Sequence, residues 1–495
     1  MGFSDHSLIL KNDGTLWGCG LNTSGQLGLE DTNSKTTFTQ AIANTDDIKS
    51  VYCGYCHTII LKNDGTLWGC GANSSGQLGL GDTNYRNIFT EITTNANDIK
   101  SVCCGRDCTF ILKNDGTLWS CGDNTYGQLG LGDGGNRTTF TQVTTNTNDI
   151  KEIYCGAFYA LILKNDGTLW GSGKNDYGEM GLGSISGTAT FTQITTNTDD
   201  IKQVYCGASH NFILKNDDTL WSCGYNGNGN LGLGDTSYRT TFTQVTTNVD
   251  NIKSICCGCH FTLVLKNDGT LWGCGTNSYG QLGLGDSNNR TIFTQVTTNA
   301  DDVKSVYCGW NHTLILKNDD TLWSCGYNAY SQLGLGDTTN RTTFTKVTTN
   351  ADDIKSLPNN YEDIPTIIKV YDLNTGLIET LDTNNFKNIP VDKFEKIKVL
   401  YTNPTDTLIA GLVSFDNKTT WKMFTGTSWT TISDITPNNI LLNGMSMEKI
   451  NNLTKEVLVQ GGFTGNIDFR IALKTNDDTK TPSITKIYIE YKKDN

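Results

Sequence analysis

Short apolar runs separated by turn residues recur along the first two thirds of the chain, and they recur in phase. The strand-bearing part of one period, Ile48–Ile92, reads I-K-S-V-Y-C-G-Y-C-H-T-I-I-L-K-N-D-G-T-L-W-G-C-G-A-N-S-S-G-Q-L-G-L-G-D-T-N-Y-R-N-I-F-T-E-I. Ile48–Cys53 and His57–Lys62 read as two strands. Asn63-Asp64-Gly65 is a tight-turn signal, because glycine reaches positive φ without steric cost. Asp218 and Asp320 replace that glycine in two periods, and Asp tolerates the same conformation better than most residues. Thr66–Cys70 is the third strand. Phe89–Thr93, rich in β-branched residues, is the fourth. No helical period intervenes. Four strands per unit describe a propeller blade.

The period is 51 residues and never varies: Trp17, Trp68, Trp119, Trp170, Trp221, Trp272 and Trp323 are evenly spaced, and the pattern ends at Leu357-Pro358. A single blade cannot bury both sheet faces, so blades must stack, and the seven tryptophans are expected in the core between them. The chain starts partway through a unit and carries an orphan first strand, Asp353-Ile354-Lys355-Ser356. Pairing that strand, through Ile354, with the N-terminal segment completes a composite blade and hides two sheet edges. The expected fold is all-β: a seven-bladed propeller over residues 1–357, a linker over 358–365 and a β-sandwich over 366–495.

Charge narrows the partners. The chain carries −13 overall, and residues 1–357 hold 23 Lys and Arg against 34 Asp and Glu, leaving about −11 there. Nucleic-acid binding depends on cations that displace counterions, so a nucleic acid is not an expected partner. No run of 18 apolar residues exists to span a membrane. The start, M-G-F-S-D-H-S-L-I-L, lacks a charged n-region and a cleavage site, so no signal peptide is expected.

All 17 cysteines precede Leu357. One set occupies the register of Cys19 and Cys70, another that of Cys53 and Cys104. Such residues lie around a ring, too far apart for disulfides, and read as small buried hydrophobes. Cys53/Cys56, Cys104/Cys108 and Cys256/Cys257/Cys259 lack the second half of a zinc motif. Free thiols in this number point to a reducing compartment or an anaerobic producer.

The segment Gly54–Asp82, with G-x-x-H-T, N-D-G-T-L-W-G-C-G and N-x-x-G-Q-L-G-L-G-D, closely resembles the repeat of the regulator-of-chromosome-condensation family. The resemblance covers residues 1–357 and implies a seven-bladed propeller. Members of that family act as guanine-nucleotide exchange factors for small GTPases or as interaction propellers. The exchange factors use an insertion protruding from one blade, and constant spacing gives this chain no counterpart. A small GTPase is therefore the less favoured partner.

Asp82/Arg86, Asp133/Arg137 and their equivalents stand four residues apart. The fourth unit loses both partners together, as Ser184 and Thr188, which reads as a loop ion pair rather than an anion-binding ring of arginines. His6, His57, His210 and His312 share a register that elsewhere holds Cys108, Tyr159 and Phe261. That reads as half-buried packing with a hydrogen bond, not as a general base. The fourth unit, with Lys174, Asp176, Tyr177, Glu179 and Ser184–Ala189, departs most from its siblings, and broken symmetry marks it as the candidate binding region. No phosphate-cradling loop, metalloprotease motif or nucleophile elbow is present, so neither catalytic residue nor metal nor cofactor is expected.

Beyond Pro358 cysteine vanishes and alternating apolar runs suggest strands. The hairpin-like T-W-K-M-F-T-G-T-S-W-T, residues 420–430, is similar to C-terminal modules of phage structural and clostridial surface proteins. Trp421 and Trp429 are its candidate sugar-binding aromatics; hairpin packing is the simpler role. The expectation is a non-enzymatic platform that binds a protein or carbohydrate ligand, in a virion, a phage-tail-like assembly or a bacterial surface. A cytoplasmic location and nucleotide exchange are the alternatives.

Overall fold

The computed structural model describes residues 4–358, except 42–44 and 46, together with six short strand segments after residue 367. The chain divides into two units, Met1–Asn360 and Tyr361–Asn495.

The first unit is seven four-stranded antiparallel sheets. In the first blade, β1 (His6–Lys11), β2 (Leu16–Gly20) and β3 (Lys35–Gln40) are joined by Ile354–Ser356, which pairs with β1 through Leu10↔Ser356 and Lys11↔Ile354. The second blade is β4 (Ile48–Cys53), β5 (His57–Lys62), β6 (Leu67–Gly71) and β7 (Arg86–Ile92). Five more repeat that order over Ile99–Val143, Ile150–Ile194, Ile201–Val245, Ile252–Val296 and Val303–Lys346. First strands of successive blades lie side by side around the axis, and the fourth strands are outermost. The strand Ile354–Ser356 therefore closes the ring, as expected.

The β5–β6 hairpin shows why each blade folds locally. Gly65 sits at φ +85, and Asp218 and Asp320 reach φ +61 at the same place. Asp64 Oδ1 accepts from the Thr66 amide and hydroxyl at 2.9 and 2.7 Å. Thr66 Oγ1 accepts the Trp68 indole N–H at 3.0 Å, and Lys62 Nζ lies 4.6 Å from that ring. The indoles are thus half-buried, correcting the expectation of a core position. They remain partly exposed, Trp68 and Trp119 packing against inter-blade cores, while the lysine over each ring is buried. The core proper is Leu8, Leu16, Leu27, Cys53, Ile60, Cys70 and Phe89 between the first two blades, and its equivalents elsewhere. Each such side chain contributes about 1.5–3 kcal/mol.

Buried histidines stitch neighbouring blades together. Thr109 Oγ1 donates to the Gln77 carbonyl at 2.8 Å, so the His57 Nε2–H must donate to Thr109 Oγ1 at 3.1 Å. His6–Thr58, His210–Thr262 and His312–Ser7 repeat the bridge at 2.8–3.1 Å. All four are fully buried, not half-buried, and the rings of His57, His210 and His312 fill the space over Gly54, Gly207 and Gly309. Burial lowers His57 to about 4 and the other three to about 3. Gly76 makes a close approach: at φ +84 a Cβ there falls 2.5 Å from Thr138 Cα of the next blade, although the seventh blade holds Ser331 in this register at φ +66.

In the second unit the described segments pair as Ile368–Tyr371 with Ile378–Leu381, Leu400–Tyr401 with Ile467–Asp468, and Trp421–Phe424 with Trp429–Ile432. The linker after Pro358 and the expected sandwich otherwise lie outside the described residues.

Candidate interaction surface

Two faces of the ring differ in how far its repeats have diverged. On one, all seven hairpins carry Lys-Asn-Asp, a fourth turn residue and Thr-Leu-Trp. On the other, the tight connection between first and second strands holds Ser4, Tyr55, Arg106, Ala157, Ala208, Cys259 and Trp310 in one register, then Asp5, Cys56, Asp107, Phe158, Ser209, His260 and Asn311. Backbone bonds run around the axis at this level: Tyr55 N–H to Arg106 O (3.0 Å), Arg106 to Ala157 (3.2 Å), Ala157 to Ala208 (3.2 Å), Cys259 to Trp310 (3.1 Å) and Trp310 to Ser4 (3.0 Å). Five of the seven steps around the axis are thus made by amides common to every residue. Side chains there are consequently free to differ.

Those side chains form aromatic clusters interleaved with cations. Trp310 meets Tyr55 edge-on with centroids 5.3 Å apart. The Arg106 guanidinium lies 5.1 Å from both Tyr55 and Phe158. Phe158 packs on Tyr126 at 5.4 Å, and Lys174 Nζ stands 5.5–5.9 Å from Tyr126, Phe158 and Tyr177. Tyr177 meets Tyr225 and Tyr238 at 5.1 Å, and Tyr225 reaches His260 at 4.6 Å. Of the seven large apolar residues standing exposed among those described, Tyr85, Tyr126, Tyr238, Tyr279 and Tyr330 sit on this face's loops. Clustering, rather than scattered exposure, marks an interaction site, and Tyr, Trp and Arg are the residues that anchor interfaces.

Of the residues singled out in sequence, Lys174, Asp176 and Tyr177 fall on this face. Lys174 pairs with Asp176 at 3.2 Å. Glu179 does not reach the surface. It stands where five siblings have Gln, buried, with Oε2 accepting the Tyr177 N–H at 2.7 Å. Burial raises its carboxyl above the usual range. This corrects its assignment as a contact residue: it supports the loop from beneath. Asp5 is likewise pushed up to about 6 by burial, opposed by a hydrogen bond from Gln332.

The ion pairs form as expected, with Arg86–Asp82 at 2.7 Å and Arg137–Asp133 at 2.6 Å. Asn73 Nδ2 also donates to the Asp82 carbonyl and carboxylate. In the fourth blade Asn175 holds the Ser184 and Ser186 carbonyls instead, at 2.9 and 3.2 Å. Its loop keeps the anchor and loses only the pair. Among the described residues no cluster of three metal-ligating side chains forms, and no helix is long and apolar enough to cross a membrane. In the second unit, Trp421 opposes Ile432 and Trp429 opposes Phe424, at opposite ends of a four-rung ladder.

The sequence reading passed over Arg106, Tyr55, Phe158, Trp310, Tyr225 and Tyr238. Their signal is columnar: within otherwise uniform repeats, their registers vary from blade to blade.

Residues 3–251 match the family model described as the RCC1-like domain, and 268–316, with 252–281 and 303–332, match models of the regulator of chromosome condensation (RCC1) repeat. The chain belongs to the RCC1-like family. Among RCC1-like relatives, the ultraviolet-B receptor UVR8 of Arabidopsis thaliana is 30% identical over 349 residues, 68% of this chain and 78% of that protein. The human X-linked retinitis pigmentosa GTPase regulator is 30% identical over 365 residues, 68% of this chain but only 35% of that protein. Yeast RCC1 (Prp20), solved bound to Kap60, superimposes with a TM-score of 0.62 at 20% identity, covering 71% of this chain and 86% of that one. Human WBSCR16 gives 0.59 at 20% identity, covering 68% and 94%. These two likenesses speak to the fold.

Proposed function

We propose that this RCC1-like propeller is a non-catalytic platform that takes a protein partner on its divergent face. One observation carries the reading: variation among otherwise repeating blades collects where tyrosines, Trp310, Arg106 and Lys174 cluster around the axis. Solved relatives with protein partners, yeast RCC1 with Kap60 and Prp20p with Gsp1p and histones, support the same class of activity. The composition resembles a binding surface in physical terms, since Tyr, Ser and Asn with a few Trp and Arg give contact area at low entropic cost.

The finer assignment is to a phage, phage-tail-like or bacterial surface assembly. It rests on the Asn- and Thr-rich repeats and on the likeness of residues 420–430 to such modules. Nucleotide exchange on a small GTPase is the rival, carried by the family and by the regulator among the relatives.

The two separate in one experiment. Full-length protein is incubated with nucleotide-loaded small GTPases and, separately, with bacterial cell-wall fractions. The platform reading expects retention on a wall protein, lost in a Tyr177→Ala/Tyr225→Ala variant, with nucleotide release unchanged. Accelerated release overturns it. A Trp421→Ala/Trp429→Ala variant reads any glycan contribution from the second unit.

A further inference from the structure

We infer that Arg106, clamped between Tyr55 and Phe158, is a carboxylate anchor that receives an Asp or Glu side chain of a protein partner. The inference rests on the reading of the divergent face as a protein-binding surface.

Arg106 differs from every other described arginine. Arg86, Arg137, Arg239, Arg290 and Arg341 each donate an Nη2 hydrogen bond, at 2.6–2.7 Å, to an aspartate four residues earlier. Arg106 has no such partner. Asp107 Oδ2 lies 3.3 Å from its Nε, but Nε is buried without an aligned hydrogen bond. Neither terminal amino group donates to any described residue. The side chain keeps about a third of its exposure, and rings 5.1 Å away on Tyr55 and Phe158 hold the guanidinium. A cation fixed by aromatic faces, with its fork unengaged, is prepared for bidentate recognition and loses little entropy on binding.

The surroundings choose among anions. Asp107, Asp123 and Asp176 lie on the same face near Arg106 and Lys174, and Glu179 lies beneath. A doubly charged phosphate meets that much negative charge unfavourably, whereas a single carboxylate matches one guanidinium fork. A neutral sugar is disfavoured differently, because the guanidinium already occupies Tyr55 and Phe158. Lys174, across Phe158, is tied to Asp176 and adds general attraction.

The test uses full-length protein and labelled seven-residue peptide libraries with Glu, Gln, phosphoserine or Lys fixed at the centre. The anchor requires the Glu library to bind at least about tenfold tighter than the Gln library. It also requires Arg106→Gln to erase that preference, and Arg106→Lys, which keeps the charge but not the fork, to restore only part of it. Thermal melts of both variants establish that the ring is intact. Preference for phosphoserine overturns the anchor. Equal binding of Glu and Gln libraries, lost in Tyr177→Ala/Tyr225→Ala, also overturns it while leaving the protein-binding face standing. Failure to retain any library removes the anchor, and the wall-fraction experiment then decides the broader reading by itself.

Discussion

On the hairpin face of the propeller, Asp64 holds Thr66, Thr66 holds Trp68, and Lys62 covers the indole. On the opposite face, the connection at Tyr55 is held by its amide, and the side chain beyond bonds nothing needed for closure. The same seven repeats thus produce one face that each blade must spell identically and one that each blade is free to spell differently. Restraint by side chains preserves sequence; restraint by backbone releases it. Released positions are where specificity can accumulate without cost to the ring.

Both faces depend on ring closure, so the harshest way to break the contrast is to open it. Deleting Ile354–Leu357 strips β1 of its partner on one edge, leaving only β2, and exposes core around Leu8 and Leu10. It should lower stability by more than about 5 kcal/mol, most of what a domain of this kind holds. Urea unfolding reads this, and an unchanged midpoint would count against the clasp. Next is acid. His6, His57, His210 and His312 are neutral when folded, with values near 3–4 against about 6.5 unfolded. Below pH 6.5 the unfolded chain takes up protons that the folded chain refuses. The histidine contribution is therefore full above 6.5 and falls with pH toward 4, by about 1.4 kcal/mol per pH unit per histidine. His57→Phe, the residue found at position 261, should make that slope shallower in urea titrations run from pH 7 to 5, by about one fifth of what the five histidines, His260 included, supply.

Asp5 sharpens the contrast with the opposite sign. Its folded value, about 6, exceeds the unfolded value, so the folded state holds the proton more tightly. The Asp5 contribution is therefore greatest below about pH 4 and is lost as pH rises through 6. Asp5→Asn should raise the urea midpoint at pH 7, by roughly 1–3 kcal/mol, and leave it unchanged at pH 4. A variant neutral at both would detach this buried acid from any stability cost. Asp82→Asn, breaking a solvent-screened pair, should cost well under about 1 kcal/mol and spare binding. Smallest in stability is Tyr177→Ala/Tyr225→Ala: its melt should match wild type while partner retention disappears. A large drop in melting temperature would mean that these tyrosines belong to the scaffold.

Much of the architecture was legible in one chain because the repeat supplies its own comparison. Even spacing of Trp17 through Trp323 gave the blade count, and the orphan Ile354–Ser356 gave the closure. The joint loss at Ser184 and Thr188 gave the Asp–Arg contact. Burial was read less well. The indoles were expected inside but are half-buried, since their N–H needs Thr66 and its equivalents; the histidines were expected half-buried but are fully enclosed. Glu179 looked like a surface charge because its loop is a surface loop, yet its side chain turns inward in the place of glutamine.

What the sequence determined by itself is the periodic part: strand, turn and blade follow from local patterns that recur every 51 residues. What the tertiary structure decided is adjacency across blades. Tyr55, Arg106 and Phe158 stand up to 103 positions apart in the chain, and no local pattern joins them. They meet because circular stacking brings equivalent connections of successive blades side by side, and that convergence is a property of the closed ring.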